Sequence, residues 1–240
     1  MKKVIGFIFA AVMVGCLIAC SSKDQSEKAV RSSVKKDAPK EAKPKYPTLS
    51  VYNMGGVPSK DVEGLVKKLQ KIYPNTLYSG ELAFVDSARV MNENNGNNRY
   101  WGKKLRNHLK KTTDTKRGIT LVIVNGEVCT WDDEKKGSHA NFGVSTLGGH
   151  VSTISYQRLK VNRLNNVNDL TKVVIHELGH SVARLVAERD DLRHHCPQRT
   201  CLMRDAKGHY PYRGLTSFCP DCTKAMKAHG FNVDSLQLTK

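Results

Sequence analysis

The chain has 240 residues, with 39 Lys and Arg against 22 Asp and Glu, a formal charge of +17, 39% hydrophobic residues and 7 cysteines. That length and composition suit one medium-sized domain. With no apolar run after the first twenty residues long enough to span a bilayer, a polytopic membrane protein is excluded. A coiled coil, a disordered chain and a small disulfide-stapled scaffold are excluded as well.

Two lysines, an apolar stretch of about fifteen residues and a small-residue end mark the N-terminus as a bacterial export signal. Its last letters, Leu17-Ile18-Ala19-Cys20, resemble the lipobox of bacterial lipoproteins, which implies cleavage before Cys20 and a diacylglycerol on that sulfur. The expected organisation is a signal peptide over 1–19, a flexible tether over 20–45 rich in Ser, Lys, Glu, Ala and Pro, and a folded domain over 46–240. Several acyl chains anchor stably, so the expected location is the bacterial cell envelope, lipid-anchored at the outer membrane. With leader and tether set aside, the domain carries about +11.

Thr48 to Tyr52 alternates as a short strand, and Gly55-Gly56-Val57-Pro58 breaks it. Ser59 then caps a predicted helix with Val62, Leu65, Val66, Leu69 and Ile72 on one face, stopped by Tyr73-Pro74. Arg99 to Lys111 reads as a second helix, with Trp101, Leu105 and Leu109 on one side. Ile119 to Val124 reads as a buried strand, and Cys129 beyond it as an inert core thiol. This alternation of types predicts a layered α/β domain. The basic run Lys103, Lys104, Arg106, Lys110, Lys111, Lys116 and Arg117 reads as the solvated face of a helix; without interleaved aromatics it predicts no nucleic-acid partner. Asn141 to Ser155, small, Gly-rich and β-branched, suits strands along which a substrate peptide could pair.

Asn168-Asp169-Leu170 opens a helix with HELGH at its centre. His176 and His180 are four apart, so both imidazoles leave one face and can share a zinc, with Glu177 beside them as a base. A catalytic zinc needs a third protein ligand and a position for water. Glu188, eight residues along a continuing helix, would sit about 12 Å past His180 and out of reach. A turn near Asp190-Asp191 would make His194 and His195 the first suitable donors. Cys196 and Cys201, followed by Met203, then Cys219 and Cys222, are spaced to close a four-thiolate zinc site. The alternatives are two disulfides, favoured by export, or a redox-active Cys-x-x-Cys.

These residues resemble an archaemetzincin, a zinc peptidase family of the metzincin clan. The string that carries the resemblance is His176-Glu177-Leu178-Gly179-His180, His195-Cys196, Cys201-Leu202-Met203, and Cys219 to Cys222. It extends to SVYNMGGVPSKDVEGLVKKL and NFGVSTLGGHVSTISYQRL. It implies a three-layer αβα domain with a mixed sheet, an active-site helix and a C-terminal zinc-knuckle segment. It also implies one catalytic zinc on His176, His180 and His195, and one structural zinc on the four cysteines. Glu177 would be the general base and Met203 the Met-turn, while Tyr210 and Tyr212 would line the pocket or donate to the oxyanion. The third ligand falls to His195 over His194, because in the family that histidine directly precedes the first cysteine. One departure stands out: the clan's Gly and third His, three and six residues after the second His, are replaced by Ala183 and Val186. The loop to His195 is then about nine residues longer and lacks its helix-stopping glycine.

The expected function is a monomeric, membrane-tethered zinc metallopeptidase acting on peptides or proteins. The competing class is a non-catalytic zinc- or peptide-binding lipoprotein that keeps the scaffold, against which the intact Glu177 argues. Thiol-disulfide exchange would require Cys219 and Cys222 to be free of metal.

Overall fold

The computed structural model describes residues 45–91, 98–113, 115, 118–132, 137–163, 166–185, 195–205, 214–236 and 238. The signal, Cys20 and most of the tether lie outside them. The folded unit spans Lys43–Lys240. Among the described residues no helix is long and apolar enough to cross a membrane.

Strand β1 (Thr48–Met54) leads through the Gly-Gly turn into helix α1 (Ser59–Ile72), then β2 (Thr76–Leu82). Two short strands, β3 (Arg89–Met91) and β4 (Asn98–Trp101), precede α2 (Gly102–Thr112), β5 (Gly118–Val124), β6 (Glu127–Asp132) and β7 (Gly137–Asn141). Then come β8 (Gly143–Ser145), β9 (Val151–Ser155), α3 (Tyr156–Val161) and α4 (Val167–Ser181), and α5 (Pro220–Ala228) closes the C-terminal segment.

The main sheet has the order β2-β1-β5-β9-β8. All its pairs are parallel except β8 with β9, so one antiparallel strand forms the edge. Alternation along β5 divides the core. Ile119, Leu121 and Ile123 join Leu65, Leu69, Val173 and Val174 of α1 and α4, whereas Val122 and Val124 join Leu105 and Leu109 of α2. A strand covered on both faces is apolar along nearly its whole length, which is why this run lacks a polar stripe; its one hydroxyl, Thr120, is bonded to Thr113 Oγ1 at 3.1 Å. The result is the expected αβα sandwich with a mixed sheet.

Three local readings are corrected. Ser59 is the first helical residue rather than the cap: Pro58 holds the cap position, with no side-chain bond to the helix. Arg99 to Trp101 is strand, not helix. It pairs in parallel with Glu127–Cys129, and the Arg99 guanidinium meets Glu127 at 2.8 Å. This pairing builds a second sheet, β3-β4-β6-β7, that the sequence pattern did not disclose. Finally, α4 ends at Ser181 and does not continue toward Glu188. Arg184 takes a left-handed φ of 49°, a conformation that glycine adopts more readily, and Leu185 N–H reaches back to Gly179 O at 3.0 Å. Glu188, Asp190 and Asp191 lie outside the described residues.

Because Leu105 is fully buried between α2 and the sheet, Leu105→Ala is expected to remove about 2–5 kcal/mol of stability. Leu77→Ala, on the exposed side of β2, should change it by no more than about 0.5 kcal/mol. Denaturant midpoints of the two variants check this.

Candidate active site

Asn166 caps α4 by accepting the Asp169 N–H at 2.8 Å, and the helix is buried along nearly its whole length. His176, Glu177 and His180 occupy its last turns. Their neighbours come from β8, β9 and the segment around residue 200.

His176, His180 and His195 bring one ring nitrogen each within 4.8 Å of one another. His176 Nδ1 lies 2.7 Å from the carbonyl of Leu202. A carbonyl can only accept, so Nδ1 carries the proton and Nε2 keeps its lone pair. That Nε2 stands 3.1 Å from His180 Nε2, close to the separation of about 3.3 Å between two nitrogens at about 2.05 Å on a tetrahedral zinc. Burial, with help from His195, pushes His176 down to about 4, which favours the neutral, ligating form. The three histidines therefore fit a zinc ion. His194 lies outside the described residues, as do Tyr210 and Tyr212.

Glu177 is almost completely buried. Burial pushes its carboxyl up to about 7, opposed by a hydrogen bond from Ser145 and the charge of Arg106. Ser145 Oγ donates to Glu177 Oε2 at 2.6 Å. Gly143 lies alongside: a Cβ there would fall 2.5 Å from Glu177 Cγ, so the carboxylate arm passes where only glycine leaves room.

Cys196, Cys201, Cys219 and Cys222 meet at a second point, their sulfurs all within 4.8 Å. Cys196 and Cys219 Sγ are 3.7 Å apart, close to the edge of about 3.8 Å expected for a tetrahedron with Zn–S bonds of about 2.3 Å and far beyond a disulfide bond of about 2.05 Å. One four-sulfur cluster, rather than two pairs, is what a zinc knuckle requires. Cys201 is the sulfur most ready to ionise: a hydrogen bond from the Cys222 thiol and the backbone N–H groups of Cys219 and Met203 hold it down to about 5.

No protein-family model matches the chain, and no curated protein sequence does either. Solved structures do. The archaemetzincin of Methanopyrus kandleri superposes with a TM-score of 0.58 over 77% of this chain and 95% of its own, at 19% identity. A zinc-dependent peptidase from Methanocorpusculum labreanum superposes with a TM-score of 0.51 over 74% of this chain and 99% of its own, at 14% identity. The chain has an archaemetzincin-like fold.

Within this archaemetzincin-like fold every described ligand candidate falls into one of the two clusters. Met203, fully buried, packs beneath α4, its Sδ 2.5 Å from where a Cβ on Gly179 would be. Three participants escaped the sequence pattern. Ser145 and Leu202 act through a hydroxyl and a main-chain carbonyl. Arg106 belongs to the basic run read as solvated, yet it is partly buried, with Nε bonded to Thr146 Oγ1 at 3.0 Å. Its spacing, four residues after Gly102 and three before Leu109, both buried, was the available signal.

Alanine normally favours a helix over glycine by about 1 kcal/mol. Gly179→Ala is nevertheless expected to destabilise by about 1–3 kcal/mol, because the new methyl overpacks Met203. In a Met203→Ala background the same substitution should become favourable, and thermal unfolding of the four variants measures the reversal.

Proposed function

We propose that this chain is a membrane-tethered zinc metallopeptidase, held by lipid on Cys20. The observation that carries the reading is the convergence of His176, His180 and His195 on one point, with Glu177 beside His176 on α4 and the outer edge of β8, unpaired among the described residues, next to it. When bound by those histidines, zinc lowers the pKa of a coordinated water and polarises the scissile carbonyl. Glu177 takes a proton from the attacking water and passes it to the leaving amine. The zinc-dependent peptidase of Methanocorpusculum labreanum, which shares the fold, supports this assignment.

An extended peptide laid along β8 supplies the substrate geometry. Phe142 O accepts from Ser155 N–H, and Thr146 N–H donates to Val151 O. Even-numbered residues thus turn their backbone groups toward β9, and by the alternation of an antiparallel ladder Gly143 and Ser145 turn theirs outward. Those groups can add a substrate strand. Cys196, Cys201, Cys219 and Cys222 would hold a second, structural zinc, which would fasten α5 to the segment carrying His195.

Purified mature protein is expected to contain two zinc ions per chain by elemental analysis. Glu177→Ala should keep both and lose about 10²–10⁴ in turnover, whereas His195→Ala should lose one zinc together with activity. His194→Ala should retain both; loss of zinc in that variant instead would shift the ligand assignment by one residue.

Cys20→Ser is expected to release the protein from membranes, since basic charge alone gives only weak, salt-sensitive adhesion. Cell fractionation at high salt reads this out, and a variant that still pellets would contradict the anchor.

A further inference from the structure

The outer wall of the Glu177 pocket is made by the same strand that offers its free edge to a substrate. Gly143 and Ser145, two residues apart on β8, both face α4. Gly143 does so by having no side chain, which admits the Glu177 arm, and Ser145 by its hydroxyl. Besides its 2.6 Å bond to Oε2, Ser145 Oγ lies 2.9 Å from the Glu177 carbonyl and 2.8 Å from Ser152 Oγ. Ser152, fully buried on β9, also reaches Ser181 Oγ at 2.8 Å. The hydroxyl of Ser145 is thus gripped at several points, and its one proton goes to the carboxylate, the strongest acceptor within reach.

We propose that Ser145 is a positioning residue for the general base, coupling a peptide seated on the outer edge of β8 to the aim of the Glu177 carboxylate. Its backbone groups face the substrate while its side chain fixes Oε2, leaving Oε1 as the oxygen that addresses water. Pairing along the edge steadies β8 and, through Ser145, the carboxylate. The inference rests on the peptidase reading above, and it assigns a role to a residue outside the HELGH motif.

The first test is steady-state cleavage of fluorescein-labelled casein. Ser145→Ala should lower kcat by about 10–100-fold, the scale on which small misplacements act. KM should stay within about twofold and zinc content should not change, the pattern of an interaction made in the transition state. Ser145→Thr, which restores a hydroxyl at the same Cβ, should recover most of kcat. If Ser145→Ala cleaves like the parent, or if it loses zinc or KM instead, the proposal is overturned. The second test needs no turnover: thermal unfolding of Ser145→Ala, Glu177→Ala and the double variant. Non-additive shifts are expected from a direct bond, and additive ones overturn the proposal even if the parent cleaves casein. Should the parent cleave nothing while the shifts are non-additive, the peptidase reading falls and the Ser145–Glu177 link stands.

Discussion

The contact on which the site depends is the hydrogen bond from His176 Nδ1 to the carbonyl of Leu202. It selects the tautomer of His176, and it comes from the middle of Cys201-Leu202-Met203. Those three residues act in three directions. The Cys201 sulfur enters the four-cysteine cluster, the Leu202 carbonyl orients the imidazole, and the Met203 side chain fills the space beneath Gly179. Leu202 N–H is in turn bonded to Ser217 O, and Cys196 N–H to Met203 O. The second cluster therefore does more than close the C-terminus. It is built on the same short backbone segment that orients His176, the way outer partners usually tune a ligating imidazole.

On its other side the site is governed by dryness. Burial is the largest influence on both His176 and Glu177, and it pushes each toward its uncharged form. A pocket that disfavours isolated charge in this manner is one in which a dication would act with little screening from water. The mixed sheet makes such a pocket possible at its rim: parallel strands bury the centre, and one reversed strand, β8, stands between α4 and solvent.

How far the sequence carried follows from which signals are periodic. The alternation and 3.6-residue spacing that mark β1, α1, β5 and α4 come from burying one or both faces, so they are written in the side chains. HELGH and the cysteine pairs were legible because metal chemistry restricts residue types at set spacings. The strand Arg99–Trp101 was misread as helix because its pairing partner, Glu127–Cys129, is remote, and nothing local announces a parallel neighbour. The end of α4 was misjudged for a different reason: Arg184 adopts a left-handed backbone that glycine would have advertised. Ser145 was silent because a serine on a strand has many uses, and only the proximity of Glu177 distinguishes this one.

The position of Cys196 directly after His195 has a consequence for how such a chain can vary. A ligand at the end of a loop is normally located by that loop, and lengthening the loop blurs it. Here His195 is located from its C-terminal side, by a residue tied into the sulfur cluster. Leu185 and His195 are each fixed from their own side, the first by its N–H on Gly179 O and the second through Cys196. For a flexible tether each doubling of length costs only about 0.6 kcal/mol in closure entropy. The geometry of the centre is therefore set by what holds its two ends, and added length between such ends costs little.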